Sequence, residues 1–146
     1  MPVCGWSGLG YVGWGRTWSK QTSSLLVIRH ELGHNFGLLH AASLDCGTNV
    51  IGGTCTSAEY GDPFGTMGNQ RAMHFAAPQK DILGWLPAGT VAEHTSGTSI
   101  YALSMLENAG GSFYAVNIPA GPNPTHVLAF RPAGGFYSGL LAYPRT

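Results

Sequence analysis

"HELGHNFGLLH", residues 30–40, sets three histidines and one glutamate within eleven positions of a chain of 146 residues. At about 100° per residue, His30 and His34, four apart, share one face of a helix. Leu25, Ile28, Leu32 and Phe36 fall together on the other side. The pattern therefore predicts a helix over about 24–37, with an apolar back against a core and a histidine front toward a cleft. Ser23 and Ser24 supply capping side chains at its start. Gly33 costs about 1 kcal/mol relative to Ala inside a helix, which points to a close neighbour there. Gly37 is placed to end the helix in a left-handed conformation, and His40, three residues on, can then swing back to the first two histidines.

Three imidazoles so placed suit a divalent metal ion. Zinc favours tetrahedral coordination by neutral imidazole nitrogens, and a catalytic site keeps one position open for water. Glu31 lies about 100° round the helix from His30, beside the ion rather than on it. That is the place for a general base acting on a zinc-bound water. A single histidine on a helix is more often a hydrogen-bonded core or surface residue than a ligand. Three at this spacing, with Glu31 and Gly37, reverse that preference. His74, His94 and His126 have no comparable pattern and read as ordinary residues. Histidine sites of this kind bind several first-row metals, so spacing alone leaves the ion's identity open between zinc and its neighbours.

The rest of the chain is consistent with a small extracellular protein. It is 44% hydrophobic but only 10% charged, against about a quarter charged in an ordinary soluble domain. Seven basic residues balance seven acidic ones, without a basic run, which argues against nucleic acid and anionic membranes as partners. No apolar run approaches a bilayer span, and "MPVCGWSGLG" lacks the basic and apolar regions of a signal peptide. If the protein is secreted, its leader is not in this chain. Cys46 and Cys55 flank the Gly-rich loop "CGTNVIGGTC". They either pair across it in an oxidising compartment or remain reduced thiols; pairing leaves Cys4 over.

Along the chain, "GLGYVGW" reads as a strand, residues 41–71 as loop with little regular structure, and "PQKDIL" as a short helix opened by Pro78 and ended by Gly84. Beyond Pro87 the texture becomes β-prone, in "TSIYALSML", "SFYAVNI", "THVLAF" and "GFYSGLLAY". The expected organisation is α+β. Residues 1–87 form one domain, and residues 88–146 a small all-β module.

The longer pattern HExxHxxGxxH is matched at every fixed position, by His30, Glu31, His34, Gly37 and His40. This resembles the metzincin zinc peptidases, whose second signature is a downstream Met-turn. "YGDPFGTMGN" fits that role over about 64–69, with Met67 as an apolar floor beneath the metal. "HELGHNFGLLHA", "EYGDPFGTMGN" and "APQKDILGWL", in that order, are similar to the gametolysin-like members. The resemblance implies a zincin-like catalytic domain in a secreted endopeptidase. It would bind Zn2+ through His30, His34 and His40, use Glu31 as base, and act on extracellular protein or glycoprotein substrates.

The chain departs from that family in two places. Some metzincins bring a tyrosine two residues past the methionine to the metal; here that position is Asn69, and Tyr60 and Tyr11 are alternatives without a spacing argument. Metzincins also place a twisted sheet and a long helix before the active-site helix, and only 29 residues precede His30 here. The resemblance thus implies a catalytic domain truncated at its N-terminus. "LGYVGW" reads either as the substrate-docking edge strand, with Tyr11 and Val12 on the rim, or as a plain core strand. Without the sheet, the apolar back of the helix must be covered by the β module or stay partly exposed, favouring association. The alternatives to a peptidase are a catalytically incompetent metal-binding fragment with an extracellular β-rich binding module, and a zinc hydrolase acting on something other than peptides.

Overall fold

The computed structural model describes residues 5–20, 24–49, 52–69, 74–119 and 125–133. Among them it shows a small α+β protein with two helices and three small sheets. The chain divides into two compact units after Phe75. The division falls ahead of "PQKDIL" rather than after Pro87, so the short helix expected to close the first domain belongs to the second unit. Each unit carries its own elements and is described by itself.

In the first unit, β1 (Gly8–Gly10) pairs antiparallel with β2 (Thr17–Ser19). Helix α1 (Leu25–Asn35) follows. Then β3 (Ser43–Asp45) and β4 (Thr56–Ala58) form an antiparallel hairpin where only loop was expected. A disulfide joins Cys46 to Cys55 beyond the last pair of that hairpin, which settles the alternative left open for these cysteines; Cys4 lies outside the described residues.

Helix α1 packs on β1 and β2, and it does so with the face that carries its polar groups. Val27, His30, Glu31, Gly33 and His34 are its buried residues. The apolar back is not set against a core and is partly exposed, the outcome expected if no sheet or module covers it: Leu25 is 62% exposed, Leu32 41% and Phe36 51%. The physical reason lies in β1. A Cβ added at Gly8 would stand 2.5 Å from Val27 Cγ1 and 2.7 Å from Glu31 Oε1, and one at Gly10 would stand 2.5 Å from the Glu31 carbonyl oxygen. Two glycines on alternate positions thus let the strand lie against the Val27–Glu31 side of the helix.

The helix ends differ in how they are made. Ser24 is the N-cap residue in an extended conformation, but its side chain makes no capping hydrogen bond, and Ser23 lies outside the described residues. At the C-terminus, Gly37 has φ +95°. Its N–H donates to the His34 carbonyl (2.8 Å), and Leu38 N–H donates to the Gly33 carbonyl (3.0 Å). These are the two bonds of a Schellman motif, and the positive φ is why glycine stands there.

In the second unit, α2 (Ala77–Ile82) starts with the Ala76 N–H donating to Gln79 Oε1 and ends in a second Schellman pair around Gly84. Strands β5 (Val91–Glu93), β6 (Ala115–Pro119) and β7 (Thr125–Ala129) form one sheet in that order, parallel and then antiparallel. "SFYAVNI" and "THVLAF" thus carry the strands expected of them. "TSIYALSML" makes only the isolated bridges Leu103↔Phe113 and Met105↔Phe130, while "GFYSGLLAY" lies outside the described residues. The core is Ala77, Leu106, Tyr114 and Ala115. The buried Lys80 is satisfied by the Leu106 carbonyl and Glu107.

The inverted burial of α1 has a measurable signature. Val27→Ala removes two methyl groups from a buried site and is expected to cost roughly 1–2 kcal/mol. Leu25→Gln, on the exposed side, is expected to change stability by less than about 0.5 kcal/mol. Denaturant midpoints of the two variants check this, and a larger loss at Leu25 than at Val27 would contradict the orientation described.

Candidate metal centre

The three histidines of the opening motif converge. His30, His34 and His40 each bring one ring nitrogen within 4.8 Å of the others, and no other cluster of this kind occurs among the described residues. His30 and His34 stand on consecutive turns of α1 and are buried, 3% and 8% exposed. His40 arrives from the chain beyond the Schellman turn, so the left-handed Gly37 is what returns the third ring to the first two.

The orientation of each ring is set by a partner on its outer nitrogen. His30 Nδ1 lies 2.9 Å from the Thr66 carbonyl oxygen, and His34 Nδ1 lies 2.8 Å from the Leu38 carbonyl oxygen. A carbonyl can only accept, so both Nδ1 atoms carry the hydrogen and both lone pairs sit at Nε2. His40 Nδ1 meets Glu59 Oε1 at 2.6 Å, and an ionised carboxylate imposes the same tautomer. His34 Nε2 and His40 Nε2 then face each other at 3.0 Å, lone pair toward lone pair. Such a pair is repulsive unless a proton or a cation lies between. In a tetrahedral zinc site with bonds of about 2.0–2.1 Å, ligand nitrogens stand roughly 3.3 Å apart. The outer shell of two backbone carbonyls and one carboxylate is the set that orients metal-binding imidazoles. The residues present therefore fit a divalent ion.

Burial is the main influence holding His30 below the ordinary imidazole value of 6.5. The neighbouring His34 and His40 add to that, while the Thr66 carbonyl and the Glu31 carboxylate oppose it. A neutral ring is the ligating form.

Around the histidines, Glu31 is buried, its carboxylate over the two glycines of β1. Met67 is fully buried. Its sulfur lies against the Cα of Gly33, where any Cβ would collide with it, and Phe75 Cε1 would be 3.0 Å from that Cβ. That is the close neighbour Gly33 required. The Met67 carbonyl also accepts from Ala41 N–H (2.8 Å), tying the turn to the residue after His40.

Tyr60 lies tilted against His40, with ring centroids 3.9 Å apart, and is stacked at 5.8 Å from His30. It is also the one non-glycine among the described residues at positive φ, +60°. Burial first, then the carboxylates of Glu59 and Glu31, push its phenol above the ordinary value of 10.0, so it stays protonated at neutral pH. Asn69 donates its backbone N–H to the Asp62 carbonyl. His94, in the second unit, pairs with Tyr101.

Sequence reasoning missed Glu59 and Asn35. The Asn35 amide donates to the carbonyls of Tyr11 (3.0 Å) and Arg16 (2.9 Å), and its oxygen accepts from Thr17 Oγ1 (2.5 Å). Gly13 N–H also donates to the His34 carbonyl (2.8 Å). The loop between β1 and β2 is thereby latched to the end of α1, so Tyr11 and Val12 belong to a turn rather than to the strand expected there. With seven acidic residues in the chain, the carboxylate just before Tyr60 was the available signal for Glu59; Asn35 had none.

Compared with family models, with curated proteins and with solved structures, the chain matches none of them.

Two outcomes follow from this packing. Gly33→Ala should gain about 1 kcal/mol of helix propensity, yet the fully buried Met67 has no room to retreat. A net loss of roughly 1–3 kcal/mol is expected from overpacking, and a higher melting temperature would show that the contact yields. The second concerns acid. With His30 held below 6.5 in the folded state, the unfolded chain binds the proton first. Stability without metal is thus fully present above pH 6.5 and lost as pH falls toward the folded-state value. Melting curves in a chelator from about pH 7 to about pH 5 should fall steadily; a flat profile would count against a buried neutral His30.

Proposed function

We propose that this chain is a zinc-dependent endopeptidase of the metzincin kind, with His30, His34 and His40 as ligands and Glu31 as general base. The observation that carries it is the convergence of three imidazoles on one point, with His34 Nε2 and His40 Nε2 3.0 Å apart. Both of these rings are committed to the tautomer with its lone pair at Nε2 by the acceptors on their Nδ1 atoms. Two acceptors stay in contact only with a proton or a cation between them, and the third imidazole converging on the same point favours the cation. The resemblance of residues 30–86 to gametolysin-like peptidases supports the same reading, as does the close approach of Met67 to Gly33 under the helix.

Bound there, the ion supplies Lewis acidity toward a carbonyl oxygen and makes a water more acidic. The protein's part is proton handling and placement. Glu31, buried beside the ligand helix face, takes the proton from the attacking water and hands it to the amine that leaves. The protonated Tyr60 phenol, held over His40, is a neutral hydrogen-bond donor at the mouth of the site. The Cys46–Cys55 disulfide supports an extracellular setting and hence extracellular protein or glycoprotein substrates.

Two observations favour a second reading. The exposed back of α1 and the three-residue length of β1 suit a metal-binding fragment without turnover. Metal analysis and a proteolysis assay on an unfolded protein, with and without chelator, separate the two. The peptidase reading expects about one zinc per chain and chelator-sensitive cleavage, lost by at least about 100-fold in Glu31→Gln with zinc retained. Zinc without cleavage selects the second reading, and cleavage that survives Glu31→Gln refutes the assigned base.

A further inference from the structure

The three ligand rings are not held equally. The acceptors behind His30 and His34 are backbone carbonyls of Thr66 and Leu38, residues 3% and 4% exposed. Their positions are part of the fold. The acceptor behind His40 is a side chain, Glu59, which is 70% exposed, and His40 itself is the least buried ligand. His40 therefore depends on whatever holds Glu59.

That support is the β3–β4 hairpin. His40 stands three residues before β3, and Glu59 follows directly after β4. The pair Ser43↔Ala58 closes the end nearest His40. From there the chain returns Glu59 to the edge of the His40 ring and Tyr60 to its face. The left-handed conformation of Tyr60 and the packing of Gly61 against Ser43 make that return tight. Beyond the backbone bonds Asp62 N–H to Ala41 and Gly61 N–H to Ala58 at this end, the hairpin is thinly supported. It has three residue pairs, every residue of β4 is exposed, and Leu44 is 65% exposed. An isolated two-stranded hairpin of this size is marginal in water. What closes its far end is the Cys46–Cys55 disulfide, which removes open conformations from the loop it spans.

We propose that Glu59 is the positioning residue of the metal centre, holding His40 with its Nε2 lone pair inward, and that the Cys46–Cys55 disulfide keeps Glu59 there by closing the hairpin. The inference rests on the metal-centre reading above. It makes retention of the ion depend on a disulfide that touches no ligand, so a reducing environment would loosen the third ligand first.

Zinc affinity, measured by competition with a chromogenic chelator at neutral pH, tests it independently of turnover. Glu59→Ala should weaken zinc about 10–100-fold. Glu59→Gln, whose amide oxygen can still accept from His40 Nδ1, should recover part of that loss, which a merely structural role would not. The Cys46→Ser/Cys55→Ser pair should weaken zinc by a similar factor, and Glu59→Ala added to it should cost little more, because both act on one ring. Far-UV circular dichroism should show α1 intact in each variant. Parent-like affinity in Glu59→Ala overturns the positioning role. Fully multiplicative losses overturn the link to the disulfide, as does a serine pair that fails to fold, since the disulfide then acts on the whole unit rather than on His40. A parent chain that binds no zinc would instead defeat the metal-centre reading itself.

Discussion

Two imidazole nitrogens that stand 3.0 Å apart, each ring with an acceptor behind it, are the constraint on which the first unit depends. Each ring is pinned from behind, so neither can turn away to relieve the contact. The Leu38 carbonyl pins His34 from within the turn that ends α1. Glu59 pins His40 from the hairpin. The Schellman turn, the hairpin and the Thr66–Met67 turn thus all bear on a volume the size of one ion. Isolated buried acceptors cost free energy, and the cation proposed at their focus would turn that cost into binding.

Close approach of backbone is how so short a chain builds this. Gly8 and Gly10 leave one face of β1 bare where the Glu31 side chain lies, and Gly33 leaves the helix bare where Met67 lies. A Cβ at any of these positions would push an element away from the histidines. Gly37 acts differently, through its positive φ rather than through space. The glycine content that looks like loop composition is in part the means by which strand, helix and turn reach one centre.

The site was largely legible from residue spacing, because helical geometry and the glycine turn are local. His30, His34 and His40 meet, and Gly37 ends the helix, from rules that involve only neighbours in sequence. What spacing did not reveal was long-range. The stripe Leu25, Ile28, Leu32 and Phe36 has the period of a core face, yet periodicity says only that a helix has two faces, and the bare face of β1 decided which one is buried. Glu59 and Asn35 act on partners about 19 and 24 residues away; Asn35 carries no local mark, and Glu59 only its place beside Tyr60. "TSIYALSML" has strand composition without a neighbour to pair along its length. The hairpin at residues 43–58 was hidden by the turn residues of the loop it encloses.

A helix that presents histidines and a glutamate to the interior and leucines to water has an unusual source of stability. Burial of an apolar face contributes a free energy fixed by side-chain area, nearly indifferent to what is dissolved nearby. Burial of ionisable ligands contributes one that varies with the chemical potential of protons and of metal ions, about 1.4 kcal/mol for each tenfold change once an ion is bound tightly. With the proposed ion in place, the seating of α1 would be a titratable quantity, and the medium, as much as the sequence, would set how firmly the helix is held.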